Sequence, residues 1–316
     1  MTEITDTIIP HHFAAKRAGP SLLISAGVHG DEFEPMLAAH ELIRKAAPSL
    51  IAGRLTVVPL VNVSAYDAGS RYGSDGLDLA RICPGNITGS ISERYAAQIS
   101  GMIRKADYYI DMHTGGNLFS ILPLAGYMLH ASGKILKEQR KMAALFNLPI
   151  IWGTEDAPNG RTLSVARDAG VASIYVEYGG GGSAKKEIIK AYTEGCLNVL
   201  ESLQMISPRK KIKSAQKYWV EDYTPDGGYF QSKMRSPAEG IFSPAVKPGA
   251  VVKKMQVWGT ITDPHSGLKK EILAEAEGLV LSLRMSAPVK LGDSLGGILP
   301  ILTAGKRIIG KPDKKT

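Results

Sequence analysis

Up to about residue 207, short apolar runs alternate with longer amphipathic stretches, and this alternation limits the fold more than any other feature of the chain. Short apolar runs are typical of buried strands, and apolar residues at helical spacing are typical of helices. Strands separated by helices favour an α/β fold with helices on both faces of a largely parallel sheet. The pattern predicts strands at 22–26, 55–60, 108–111, 150–152 and 173–177, and helices at 33–46, 92–105, 132–146, 163–168 and 184–203.

After residue 217 the pattern changes to short strand-like runs broken by turns, which indicates a small all-β domain. We therefore predict a first domain at 1–215 and a C-terminal β domain at 216–316, with the boundary inside a basic stretch. Segments 236–242 and 274–280 resemble the two halves of a biotinyl/lipoyl-like hammerhead. Lys254 does not lie at a hairpin tip between these halves, so we expect a structural or site-shielding role rather than a modified carrier lysine.

The composition of the 316-residue chain is that of a globular protein, with 44% hydrophobic and 22% charged residues. No apolar run approaches the roughly 20 residues that span a bilayer, and residues 1–20 contain no apolar signal-peptide core. With only two cysteines, Cys83 and Cys196, we expect a cytoplasmic protein. The net charge of +8 lies partly in basic runs without interleaved aromatics, so we predict no nucleic-acid partner. The oligomeric state stays open, a homo-oligomer included.

The turn after the first predicted strand reads Gly-Val-His-Gly-Asp-Glu and brings His29 and Glu32 to the start of a helix. A His and a Glu three residues apart can face one metal ion, and both are ordinary zinc ligands. His113 follows another predicted strand and precedes a glycine-rich loop. Because sites gather at the carboxyl ends of parallel strands, these three residues predict one zinc site with a fourth position open for catalysis.

A second feature is Glu177, which closes an apolar strand and is followed by Tyr178 and four glycines. Strand interiors disfavour an unpaired charge, so this carboxylate predicts a general base beside the metal. The loop between residues 62 and 85 contributes Arg71 and Arg81. One arginine can stabilise the oxyanion of amide hydrolysis and the other can bind a substrate carboxylate. We also assign Tyr178 to the substrate pocket.

Taken together, the motifs Gly-Val-His-Gly-Asp-Glu, Asp-Leu-x-Arg-x-x-Pro-Gly, Asp-Met-His-Thr-Gly and Val-Glu-Tyr-Gly resemble the succinylglutamate desuccinylase/aspartoacylase family. That family lies within the zinc carboxypeptidase-like hydrolases, and the resemblance covers residues 21 to about 182. It implies a three-layer α/β/α sandwich with a mixed, largely parallel sheet and an appended β domain. The residue roles it implies are zinc ligands His29, Glu32 and His113, general base Glu177, oxyanion partner Arg71, carboxylate binder Arg81, and Asp78 as acceptor for a ligand imidazole.

One position departs from the family pattern, because Ala80 stands where the family usually has Asn beside the arginine. That Asn helps to bind the substrate carboxylate, so its loss removes hydrogen-bond donors and adds room. We therefore expect the zinc chemistry to persist without the specificity of either namesake enzyme.

The sequence thus predicts a zinc-dependent amidohydrolase, with one Zn²⁺ per chain, that removes an acyl group from an N-acyl amino acid or a related small amide. A metallocarboxypeptidase acting on short peptides would use the same catalytic groups and stays an alternative. A zinc-binding protein without turnover is a second alternative, against which Glu177 and Arg71 argue.

Overall fold

The computed structural model describes residues 7–209, 215, 218–223 and 234–299, together with the backbone of one further strand at 306–308. The α-helices in this part of the chain are α1 (Phe33–Ala46), α2 (Val63–Asp67), α3 (Ile91–Ile103), α4 (Gly133–Leu145), α5 (Thr162–Asp168) and α6 (Lys186–Ser202). The strands are β1 (His11–Ala14), β2 (Arg17–Ser25), β3 (Ala52–Val58), β4 (Tyr108–His113), β5 (Phe119–Met128), β6 (Ile150–Thr154), β7 (Ala172–Gly180), β8 (Tyr218–Asp222), β9 (Gly240–Pro244), β10 (Val251–Val252), β11 (Val257–Thr262), β12 (Lys269–Leu273), β13 (Gly278–Arg284), β14 (Pro288–Val289), β15 (Gly296–Leu299) and β16 (Lys306–Ile308).

The central sheet has the strand order β1-β3-β2-β4-β7-β5-β6-β8-β16. Its core is parallel from β3 through β2 and β4 to β7, whereas β5 runs antiparallel to β7. Helices α1, α4 and α6 pack on one face around one hydrophobic cluster. Helices α3 and α5 pack on the other face around a second cluster. The predicted α/β fold with a mixed, mostly parallel sheet between two helical layers is thus confirmed.

The predicted elements match the structure closely where the hydrophobic pattern is strong. Helix α1 spans 33–46 as predicted, and the five predicted strands are present with extended or slightly shifted ends. The sequence pattern predicted no strand between residues 113 and 150, which was wrong, because β5 lies there. Pro123 and Gly126 weaken the strand signal of this segment. The register between β5 and β7 shifts between Ile121 and Leu124, which accommodates the proline.

In the C-terminal region, strands β12, β11, β9 and β14 form a separate antiparallel sheet, as the predicted all-β character requires. Strand β9, from the first segment of the predicted repeat, pairs with β14, which follows the second segment. Strand β13, from the second segment, pairs with β10, which follows the first. Strand β8, which follows residue 215, joins the main sheet beside β6. The division at 215/216 stays a prediction.

The C-terminal region also reaches the central sheet through β13. One edge of β5 pairs with β7. The other edge pairs with β13 in its first part, at Phe119 to Ile121, and with β6 from Leu124 onward. Strand β13 therefore lies next to the part of β5 that pairs with Gly179 and Gly180, at the glycine-rich end of β7.

Both cysteines are buried and neither forms a disulfide. Among the described helices, none combines the length and the apolar composition that crossing a bilayer requires.

Candidate active site

Three candidate metal ligands meet at the carboxyl ends of β2 and β4. The Nδ1 atom of His29 lies 2.7 Å from Oε1 of Glu32, and the Nδ1 atom of His113 lies 3.0 Å from Oε2 of the same carboxylate. One ligand atom from each residue lies within 4.8 Å of the other two, and all three residues are buried. Burial alone would raise the pKa of Glu32, but the two imidazoles outweigh it and hold that pKa well below its usual range. The cluster therefore presents one carboxylate and two imidazoles to a common point.

The outward-facing nitrogen of each imidazole is held by a second carboxylate. Nε2 of His29 lies 3.1 Å from Oδ1 of Asp78, and Nε2 of His113 lies 3.1 Å from Oδ2 of Asp111. A carboxylate at Nε2 favours the tautomer that carries its proton there, which leaves Nδ1 free to bind a metal. The sequence motifs identified Asp78 in this position, whereas Asp111 was missed although it belongs to the Asp-Met-His motif.

Local backbone geometry explains the glycines around His29. Gly27 has φ +67°, which favours glycine at the end of β2. A Cβ atom added to Gly30 would lie 2.0 Å from the backbone carbon of Ala65. The chain can therefore turn tightly against α2 and begin α1 immediately after Glu32, the N-cap residue of that helix. This turn orients His29 and Glu32 toward the same side.

Glu177 lies beside the cluster because β7 is the neighbour of β4. In the parallel register of these strands, Glu177 is opposite His113. Its Oε2 atom is buried and has no hydrogen-bond partner among the described residues. Burial raises the pKa of Glu177 to about 8, with His113 opposing and Glu32 reinforcing the shift. In the metal-free protein this carboxyl group therefore holds its proton more tightly than an ordinary glutamic acid does.

Arg71 reaches the same cluster from the loop after α2. Its Nε and Nη2 atoms donate to Oδ2 of Asp78 at 3.0 and 2.9 Å, and its Nη1 atom lies 3.5 Å from Nδ1 of His29. The loop itself is fixed by Asp75, whose carboxylate accepts hydrogen bonds from Ser90 and Ser92 at the start of α3. Arg71 is thus held rigidly next to the candidate metal ligands.

A cavity of about 300 Å³ opens over the cluster. Its lining combines residues between His29 and Glu177 with Ser282 of β13. The predicted residues that line it are His29, Arg71, Ala80, Arg81, His113 and Glu177, and those that the sequence reasoning missed include Asp111, Met128, Thr154, Arg161, Thr162, Leu163 and Tyr175.

The two remaining predicted substrate residues differ in position. Arg81 lines the cavity with an exposed side chain whose Nη1 atom donates to the backbone oxygen of Ala80 at 2.8 Å. Tyr178 does not line the cavity, because successive side chains of a strand point to opposite faces and its neighbour Glu177 points inward. Tyr178 instead packs against the hydrophobic cluster under α1, α4 and α6. The structure therefore does not bring Tyr178 to the substrate pocket.

Arg161 is the most informative residue that the sequence reasoning missed. It is the N-cap residue of α5 and adds a third arginine to the cavity lining. The next residue, Thr162, donates a short hydrogen bond from Oγ1 to Oδ2 of Asp111. The carboxylate that holds His113 therefore also holds the start of α5. A glycine-arginine pair before a short helix carries no recognisable spacing signal, which explains the omission.

The family model described as the succinylglutamate desuccinylase/aspartoacylase catalytic domain matches residues 18–203. The chain belongs to this family. The match contains every residue of the cluster described above and ends just after α6. The family resemblance read from the sequence motifs is thereby confirmed.

The two relatives described next carry the names of deacylases. The chain is 27% identical over 301 residues to the N-alpha-acetyl-L-2,4-diaminobutyric acid deacetylase of Halomonas elongata, and the match covers 93% of this chain and 86% of the relative. A shorter match, 37% identical over 135 residues, links it to the succinylglutamate desuccinylase of Burkholderia orbicola and covers 36% and 37% of the two chains.

Solved structures of the family share the whole fold. The product-bound ectoine utilization protein EutE (DoeB) of Ruegeria pomeroyi superposes with a TM-score of 0.81 at 26% identity, covering 90% of this chain and 86% of that one. A succinylglutamate desuccinylase/aspartoacylase of Rhodobacter sphaeroides gives a TM-score of 0.82 at 24% identity, over 94% and 90% of the two chains. The latter similarity supports the fold alone.

Proposed function

We propose that this protein is a zinc-dependent amidohydrolase that removes an acyl group from an N-acyl amino acid or a related small amide. The observation that carries the proposal is the register of β4 and β7, which sets Glu177 beside the cluster of His29, Glu32 and His113. The deacylase names of the relatives support the same reaction class. One zinc per chain and a cytoplasmic location belong to the proposal.

The donor set fits zinc. Two imidazoles with Nδ1 directed inward and one carboxylate are three protein ligands of the kind found in catalytic zinc sites. Asp78 and Asp111 fix the orientation of the imidazoles, as acceptors of this kind do in such sites. When bound, zinc supplies a Lewis acid that polarises a carbonyl group and lowers the pKa of water.

Glu177 takes a proton from the attacking water and returns it to the leaving nitrogen. Its buried Oε2 atom, which has no hydrogen-bond partner among the described residues, can accept that proton. Arg71 donates to the carbonyl oxygen where negative charge develops, and its pairing with Asp78 prevents it from swinging away. Arg81 and Arg161 bind the carboxylate of the amino acid, which compensates for the Asn that Ala80 replaces.

The proposal is tested by elemental analysis of the purified protein followed by a free-amine assay on N-acyl amino acids and short peptides. The panel includes Nα-acetyl-L-2,4-diaminobutyric acid, the substrate named for the Halomonas elongata relative. We expect one zinc per chain and amine release from small N-acyl substrates. Amine release from peptides alone would favour the metallocarboxypeptidase, and failure to bind zinc on titration would overturn the proposal.

Replacing Arg71 by Gln is expected to lower kcat about a hundredfold with a smaller change in KM, because the lost donor acts mainly on charge that develops in the transition state. Steady-state kinetics on the best substrate of the panel measure both values. Arg54→Gln, which removes an exposed arginine from β3, serves as the matched control. A wild-type kcat in Arg71→Gln would exclude Arg71 from oxyanion stabilisation.

Replacing Asp111 by Asn is expected to weaken zinc binding about 10- to 100-fold, the range for partners of metal-bound histidines. Asn keeps one carbonyl oxygen as an acceptor but removes the negative charge that faces Nε2 of His113. Competition with a chelating dye measures the affinity. Asp168→Asn, on the exposed end of α5, is the control. Unchanged zinc affinity in Asp111→Asn would show that this carboxylate does not position His113.

A further inference from the structure

We infer that Tyr175 sets the maximum length of the substrate and that its hydroxyl binds the polar end of that substrate. This inference rests on the proposed function and adds a specificity-determining residue to it. We infer that the substrates are short-chain N-acyl amino acids. One end of such a substrate extends past Glu177 and stops at the tyrosine ring.

The position of Tyr175 in β7 carries the first step. It precedes Glu177 by two residues, so the two side chains lie on the same face of the strand. Both side chains line the cavity over the metal-ligand cluster. A substrate whose scissile amide lies at Glu177 and that extends along β7 therefore meets the ring of Tyr175 about 7 Å farther on.

Gly126 carries the second step. In the antiparallel register of β5 and β7, Gly126 lies directly opposite Tyr175. A Cβ atom built on Gly126 would lie 2.2 Å from Cζ and 2.5 Å from Oη of the tyrosine. The ring therefore lies across β5, over the bare backbone of this glycine. Any larger residue at 126 would push the ring away, so this glycine fixes the position of the tyrosine ring in the cavity lining.

The surroundings of the ring define what it can bind. Met128 lies two residues beyond Gly126 on β5, and Thr154 of β6 pairs with Met128. Both residues are buried and line the same cavity. Leu163 adds a further apolar surface. With a volume of about 300 Å³, the cavity is at the small end of the range for ligand sites. Because Met128 and Thr154 lie past Gly126 along the strands, a smaller side chain at position 175 would join their side of the cavity to the part over Glu177.

The hydroxyl of Tyr175 is suited to donate a hydrogen bond. Burial raises its pKa and the nearby charge of Glu177 raises it further, so the group stays protonated at all working pH values. Arg161 lies close enough to oppose part of this shift by its positive charge. A carboxylate or carbonyl oxygen at the end of the substrate would thus meet two donors, the guanidinium of Arg161 and the hydroxyl of Tyr175. The hydroxyl is neutral, and its ring is held in place by packing over Gly126.

The experiment uses two homologous series on the zinc-loaded enzyme. One series lengthens the acyl group of a single amino acid from acetyl to butyryl and hexanoyl, and the other lengthens the side chain of an N-acetyl amino acid. Replacing Tyr175 by Ala is expected to raise the ratio of kcat/KM for long over short substrates at least tenfold in one series and to leave the other unchanged. The series that responds identifies the end of the substrate that faces the ring.

Tyr175→Phe separates the two parts of the inference. It keeps the ring over Gly126 and is expected to leave the length preference intact, while KM for short substrates with a polar end rises about fivefold and kcat changes less. Tyr175→Leu serves as the second size variant in case Tyr175→Ala folds poorly. Tyr66→Ala, at an exposed tyrosine of α2, is the control for loss of a tyrosine elsewhere.

An unchanged length ratio in both series for an active, zinc-loaded size variant would overturn the inference. Failure of the proposed function has a different signature, namely no hydrolysis by the zinc-loaded wild type. In that event, calorimetric binding of the same series to Glu177→Gln, with and without the Tyr175 replacement, decides the length limit. Equal binding of long and short members to both proteins would also overturn it.

Discussion

Replacing Glu177 by Gln is expected to lower kcat at least a hundredfold while the protein still binds one zinc. A general base contributes typically 10²- to 10⁴-fold to a reaction rate, and Gln has nearly the same shape but cannot accept a proton. Its register position opposite His113 sets Glu177 beside the candidate ligands, and its buried Oε2 atom has no hydrogen-bond partner among the described residues. Steady-state kinetics and zinc analysis of the same preparation measure both quantities.

The same substitution is expected to stabilise the metal-free protein at alkaline pH. Burial raises the pKa of Glu177 to about 8 from an ordinary value of 4.5, so the folded state binds this proton more tightly than the unfolded chain. The contribution of Glu177 to the stability of the metal-free wild type is therefore lost as pH rises from about 4.5 to about 8. Thermal unfolding of the stripped proteins should show Glu177→Gln with a Tm about 3 °C higher or more at pH 8, and with no advantage near pH 5.

Glu187→Gln is the matched control for both measurements, because Glu187 is exposed at the start of α6. It should retain wild-type kinetics and a wild-type pH dependence of Tm. Full activity in Glu177→Gln would remove this residue from the mechanism. A Tm difference that is the same at pH 5 and pH 8 would show that the carboxyl group is not held in its proton-bound form by the fold.

Replacing His113 by Ala is expected to abolish zinc binding at micromolar metal and to reduce hydrolysis to the background rate. The imidazole supplies one of three protein ligands, and the two that remain cannot hold zinc with catalytic affinity. Removal of the ring also leaves Asp111 and Glu32 without the imidazole that contacts both carboxylates, so the metal-free variant should unfold at a lower temperature than the metal-free wild type.

His265→Ala is the control, since this histidine is exposed in the turn between β11 and β12. Elemental analysis after exhaustive dialysis gives the zinc content of each variant, and chelator competition gives the affinity. His29→Ala repeats the test from the other imidazole. Wild-type zinc affinity in either ligand variant would disprove a zinc site formed by His29, Glu32 and His113.

The predicted site residues that the structure brings together lie in short local motifs. His29 and Glu32 belong to one turn, His113 ends β4, and Glu177 closes the apolar run of β7 three residues before that strand ends. Because neighbouring parallel strands end at the same edge, the local pattern was sufficient to bring these residues together. The helix α1 was predictable to the residue for the same reason, since its apolar spacing is regular.

The parts that were missed depend on pairing between distant segments. Strand β5 contains Pro123 and Gly126, and both residues argue against a strand when they are read locally. Only the fold shows that Gly126 accommodates the ring of Tyr175. Arg161 lies at the start of α5, next to Thr162, whose hydroxyl donates a hydrogen bond to Asp111 of β4. This contact between distant segments holds Arg161 at the cavity. Tyr178 was assigned by its place next to Glu177, although strand alternation turns it to the opposite face.

The pairing of β13 with the first part of β5 has a consequence for synthesis of the chain. Ser282 lies opposite Ile121 in this pair, and both line the cavity. A ribosome has completed the metal-ligand cluster, Glu177 and the whole of α6 long before β13 emerges. The nascent protein therefore carries these chemical groups before β13 is made, and Ser282 joins the cavity lining afterwards, through a contact between strands far apart in the sequence.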